Sequence, residues 1–76
     1  MELNAFIQNL ANQFEETEMS EFDAQTNFKE LDEWSSLVAL SVIAMVDEEY
    51  GVTLKGDDIR NSQTIEDLYN TIKSRI

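Results

Sequence analysis

Leu3, Phe6, Ile7, Leu10 and Phe14 recur at helical spacing along the first segment, with Asn4, Gln8, Asn9, Asn12 and Gln13 on the opposite side. One apolar stripe facing one amide-rich stripe predicts an amphipathic helix from Leu3 to Phe14. The pattern fades between Glu15 and about Ser35, where acidic residues dominate. A connection this long inside a small domain is either a working loop or an element whose periodicity is hidden. Phe22, Phe28, Leu31 and Trp34 give it side chains to pin on a core, whereas disordered linkers are poor in aromatics. An ordered loop is expected, with a helical turn near Asn27 to Leu31.

From about Ser36 to Tyr50 the pattern returns. Ala39, Val42, Ile43, Val46 and Tyr50 form a dense apolar stripe, flanked by Leu37, Val38, Leu40, Ala44 and Met45. A helix apolar around most of its circumference is central to the fold or keeps an apolar strip for a partner. Ser35 stands where an N-cap belongs, and Gly51 stands where helices commonly end. Val52 and Leu54 predict an extended return, and Gly56 to Asn61 a short helix or single turn. The last helix runs from Ile65 to about Ser74, buried through Ile65, Leu68, Tyr69 and Ile72. Thr64 caps it, and Glu66 and Asp67 fill its first turn, where the helix dipole favours anions. The expected fold is all-α: a small up-down four-helix bundle, three main helices plus one short one, with a long first loop. Phe6, Phe14, Phe22, Phe28 and Met45 are assigned to the core by default, and Trp34 to a lid over it.

Seventy-six residues, at roughly 150 per domain, make one domain spanning residues 1–76. Five Lys and Arg against sixteen Asp and Glu leave a net charge of −11. Such a chain repels phosphate backbones and anionic membranes, and it favours partners that carry a basic patch. Cys and His are both absent. Thiol catalysis, disulfides, zinc fingers and imidazole acid–base chemistry are thereby excluded. No apolar run approaches the roughly 18 residues that span a bilayer, and no basic segment with a cleavage site opens the chain. A cytoplasmic monomer without nucleic-acid or membrane partners is expected.

Carboxylates are the only abundant reactive groups. A paired-carboxylate active site needs two of them in a shared, partly buried cleft, and no apolar face here carries two acids. Asp57-Asp58 and Asp47-Glu48-Glu49 lack the alternate spacing and the glycine of a calcium-binding loop, although loose divalent-cation binding at them stays open. The expectation is a protein that is not an enzyme, with no catalytic residue and no metal site.

The segment from Trp34 to Val52 is more informative. Ser36 and Leu37 open a helix, about two apolar turns follow, and Asp47-Glu48-Glu49-Tyr50-Gly51 closes it. This resembles the acyl carrier protein family, whose motif is Asp-Ser-Leu at the start of the second helix. Ser36-Leu37 falls on the family's Ser-Leu, Tyr50 on its helix-closing aromatic, and Trp34 on members that read Trp-Asp-Ser-Leu. Thr64-Ile65-Glu66-Asp67-Leu68 resembles the opening of the family's final helix, so the likeness covers about Leu3 to Ile72. The resemblance implies that Ser36 carries a covalent 4′-phosphopantetheine arm whose thiol holds acyl or aminoacyl groups as thioesters. It further implies a phosphopantetheinyl transferase and loading and biosynthetic enzymes with basic docking patches as partners, met through Leu37, Asp47, Glu48 and Glu49. Fatty-acid, polyketide or nonribosomal peptide synthesis are the pathways such carriers serve.

Two departures from the family pattern stand out. Ser35 replaces the Asp before the modified serine, and Val38 and Ser41 stand where many fatty-acid carriers have acids. These changes lean towards a specialised carrier. Serines that precede a helix also act simply as caps, and the acidic triplet also reads as a solvated helix end. An unmodified helical interaction module is therefore the competing reading, and an acidic metal-buffering protein a third.

Overall fold

The structure, a computed structural model, describes residues 1–76. Its α-helices are α1 (Leu3–Ala11), α2 (Ser36–Tyr50), α3 (Gly56–Arg60) and α4 (Ile65–Lys73), and no strand is present. The all-helical class and the order of three main helices and one short one follow the sequence pattern. Two short 3₁₀ turns, Met19–Glu21 and Phe28–Glu30, punctuate the first loop. The second is the turn expected near Asn27 to Leu31; the first carries no periodicity that announces it.

α1 stops sooner than its stripe. The Gln13 and Phe14 N–H groups donate to the Leu10 and Ala11 carbonyls at 3.0 Å, the i→i+3 pattern of a tightened last turn. Phe14 thus leaves the α-helix yet stays buried. At the end of α2, Gly51 takes the left-handed conformation, φ 66°, where a residue without Cβ carries no steric penalty. α4 opens on a reciprocal cap: Thr64 Oγ1 accepts the Asp67 N–H, and the Asp67 carboxylate accepts the N–H groups of Gln63 and Thr64.

Phe6, Leu10, Phe28, Val42, Val46, Ile65, Leu68 and Ile72 are wholly screened from solvent. Seven of them come from α1, α2 and α4, and Phe28 comes from the long loop. Phe14 and Phe22 meet at 5.0 Å between ring centroids, and the half-buried Trp34 lies against Phe14 at 6.3 Å and Phe28 at 5.2 Å. Offset and edge-on aromatic pairs of this kind add to the area they bury. The loop is thereby fastened to the core, with Trp34 as its lid.

α3 contributes a single buried apolar side chain, Ile59, too little to dock five residues by burial alone. Polar contacts complete the attachment. Arg75 donates two bonds to the Asp58 carboxylate, at 2.8 and 2.6 Å, and Lys29 Nζ donates to the Arg60 carbonyl at 2.9 Å. Arg60 also pairs with Asp57. The Arg75 guanidinium, aided by the Lys55 N–H, holds the Asp58 carboxyl down at about 2, against an ordinary 3.8. A carboxyl whose pKa is lowered by folding stabilises the fold fully above its ordinary value and loses that contribution as pH falls towards the lowered one. Thermal unfolding followed by circular dichroism should therefore show wild type losing more melting temperature between pH 4 and pH 2 than Arg75→Gln does. Parallel losses in the two proteins would show that the pair does not stabilise α3.

Candidate functional site

The start of α2 is built by four consecutive residues. The Glu33 carboxylate accepts the N–H groups of Glu15, Glu16 and Thr17 at 2.6, 3.0 and 2.9 Å, and the Thr17 hydroxyl at 2.8 Å. Burial pushes the Glu33 carboxyl up, but those hydrogen bonds outweigh it and hold the group below the usual carboxylate range. Trp34 follows, pinned on the aromatics, and its N–H donates to the Leu31 carbonyl at 2.9 Å. Ser35 is extended (φ −156°, ψ 172°) and its Oγ accepts the Val38 N–H at 3.2 Å. Ser36 begins the helix proper and is exposed.

The two serines therefore differ in role. Ser35 is the cap, engaged with the backbone, whereas Ser36 takes no part in the cap and faces solvent. The first N–H groups of a helix lack intrahelical acceptors; with Val38 satisfied by Ser35, those of Ser36 and Leu37 remain at the positive end of a fifteen-residue helix. An anionic diester on Ser36 would meet open space and unpaired donors, a chemical fit for a phosphate-linked group.

α2 is two-sided. Val42, Met45 and Val46 are buried in the core, as expected for Met45, while Leu37 and Leu40 are 74% and 62% exposed. Leu37, Leu40 and the exposed Ala44 follow one another at i+3 and i+4 spacing, so they share a face. This explains why α2 is apolar nearly all round: one side packs and the other keeps an exposed strip. Leu40 reads from sequence only as a flanking residue. Its spacing from Leu37, away from the Val42–Val46 stripe, is the signal that places it on the strip.

Asp47, Glu48 and Glu49 lie exposed in the last turn of α2, on the order of 15 Å along the helix from Leu37 at 1.5 Å per residue. The two ion pairs of the fold, Arg60–Asp57 and Arg75–Asp58, involve none of these three. No Lys or Arg occurs from Glu30 to Leu54, so the whole α2 side is acidic without local compensation. Leu37 and the triplet thus occupy opposite ends of one helix, and Glu33, which no periodicity singles out, sits beside the first of them. No group of three or more His, Cys, Asp or Glu side chains is gathered closely enough to hold a metal ion.

A family model described as a phosphopantetheine attachment site matches residues 5–72, from α1 into α4. No curated protein and no solved structure matches the chain.

The division between the serines is testable by urea denaturation. Ser35→Ala should lower the unfolding free energy by about 0.5–2 kcal/mol, the usual effect of removing an N-cap oxygen. Ser36→Ala should change it by less than about 0.5 kcal/mol. Equal losses would show that Ser36 also serves the cap.

Proposed function

This chain belongs to the phosphopantetheine attachment site family, and from that premise we propose that Ser36 is its attachment residue. Members of the family are carriers: they covalently hold a 4′-phosphopantetheine group and are not catalytic themselves. The observation that carries the choice of Ser36 is the split between a capping Ser35 and an exposed Ser36 at the mouth of α2. In the proposed attachment, Ser36 Oγ forms the new bond to phosphorus as the pyrophosphate bond of coenzyme A breaks; adenosine 3′,5′-bisphosphate leaves with the electron pair of that bond, and the hydroxyl proton goes to a base of the transferase. When bound, the group supplies a terminal thiol that holds an acyl or aminoacyl cargo as a thioester.

The protein's own residues have three tasks in this reading. Ser36 and Leu37 offer free N–H groups to the diester. Leu37 gives transferase and cargo-handling enzymes an apolar contact next to the modified residue. Asp47, Glu48 and Glu49 meet Lys and Arg on those enzymes, which steers encounter and fixes register. Their place at the helix C-terminus, where anions oppose the dipole, supports a use other than helix stability.

We read residues 1–76 as one such carrier domain, a monomer kept apart from other copies by its −11 charge. A chain without Cys needs no oxidising compartment, and the cytoplasm is the proposed location; no helix is long and apolar enough to cross a membrane. Ser35 in place of the family's Asp, with Val38 and Ser41 on α2, favours a specialised acyl or aminoacyl carrier over one of ordinary fatty-acid synthesis. The same Ser35 supports a second reading, a member that serves as a protein-interaction module without its arm.

Intact-mass measurement after incubation with coenzyme A, Mg²⁺ and a broad-specificity phosphopantetheinyl transferase separates the two. One added phosphopantetheinyl group, kept in Ser35→Ala and lost in Ser36→Ala, is the expected result. Loss only in Ser35→Ala would move the site by one residue. No gain with several transferases would favour the unmodified module.

A further inference from the structure

Between α1 and α2 the chain runs from Asn12 to Ser35 without an α-helix. It carries Glu15, Glu16, Glu18, Glu21, Asp23, Glu30, Asp32 and Glu33 against the single cation Lys29. So many like charges repel one another and favour an open loop. Yet the loop ends on the residue that caps α2, and the aim of the helix start depends on it.

Glu33 is where that repulsion is reversed. Three successive backbone N–H groups and one hydroxyl converge on its carboxylate, an anion-binding concavity of backbone donors. Hydrogen bonds to an ionised acceptor are about twice as strong as neutral ones. The other titratable groups around it, Glu15, Glu16, Glu21 and Asp32, are all acidic. Its charge is therefore met by N–H and O–H donors alone, with no cation. Only Trp34 and Ser35 separate it from Ser36, and both are fixed, by the aromatic contacts and by the cap. The bonds link positions 16 to 18 residues apart, so they tie the turn after α1 to the entry of α2.

We propose that Glu33 is a positioning residue for the modification of Ser36, holding the entry to α2 on the turn after α1 so that a transferase meets the serine in one fixed geometry. This rests on the reading of Ser36 as the attachment residue. Without the Glu33 bonds the entry samples several geometries, and only a fraction of molecules presents Ser36 correctly. A partner that binds the competent fraction sees its apparent affinity fall by that fraction, while turnover inside the complex is unchanged.

Glu33→Gln keeps the shape but removes the charge and turns an amide N–H₂ towards N–H donors. With coenzyme A, Mg²⁺ and the transferase, it should raise KM for the carrier about three- to tenfold and leave kcat within about twofold of wild type. Amide NMR gives an independent readout. In wild type, the Glu15, Glu16 and Thr17 resonances should titrate with a midpoint below the ordinary 4.5, and those of Ser35, Ser36 and Leu37 should follow the same midpoint. That shared midpoint should vanish in Glu33→Gln. If that variant loses its helical circular dichroism, Thr17→Val takes its place: it removes one donor of the four and should raise KM about twofold. An unchanged KM in a folded variant, or Ser36 resonances that ignore the titration, would overturn the proposal while leaving Ser36 as the attachment residue. A wild-type protein that takes up no arm would instead overturn the Ser36 reading and the positioning role with it.

Discussion

The contact between the first loop's aromatics and the helical core is what the rest of this molecule depends on. Phe22, Phe28 and Trp34 belong to a segment whose carboxylates push it apart, in a chain of net charge −11. Full burial of a side chain such as Phe28 stabilises by about 1.5–3 kcal/mol, whereas exposed like charges repel through high-dielectric solvent and are screened by salt. Burial wins, and the loop closes over the ends of α1 and α2. The polar contacts then narrow the closed loop to one geometry: Glu33 on the 15–17 turn, Ser35 on Val38, and Lys29 on the end of α3.

From this closure follows the arrangement at the start of α2. One serine is consumed by the cap and its neighbour is left exposed beside unpaired backbone donors. Along the same helix, burial of Val42, Met45 and Val46 faces one way, and Leu37 and Leu40 stand out on the other side. The cations gather elsewhere, at α3 and near the end of α4, with Lys55, Arg60, Lys73 and Arg75. Helix α2 is thus an acidic surface with an apolar strip, on a chain of the phosphopantetheine attachment site family.

Much of this is legible in the sequence because it is local. Thr64 with Asp67, Ser35 before α2 and Gly51 after it are signals confined to a few residues, and the structure uses each as its neighbours suggest. The stripes of α1, α2 and α4 likewise pick out the core, including Phe6 and Phe14, while Phe22 and Phe28 of the loop are legible as core only by their aromatic character. What sequence does not reveal is held together across long separations. Glu33 reads as one more acid in an acidic run, since its partners lie 16 to 18 residues away. Arg75 reads as a charge at the end of a helix, yet it reaches 17 residues back to Asp58. The early stop of α1 escapes for a different reason: a tightened last turn keeps Phe14 on the buried side, so the apolar spacing runs on after the α-helix has ended.

In the proposed reading the loop presents Ser36 on a finished scaffold, so that attachment asks nothing of the core. Amide NMR spectra of the protein before and after enzymatic loading test this most directly. Shifts should be confined to the start of α2 and its exposed strip, from Ser35 to about Ala44. Resonances of buried residues in α1 and α4, such as Leu10 and Leu68, should stay in place. Shifts spread through those helices would contradict it, because they would mean that the fold rearranges to accept the arm.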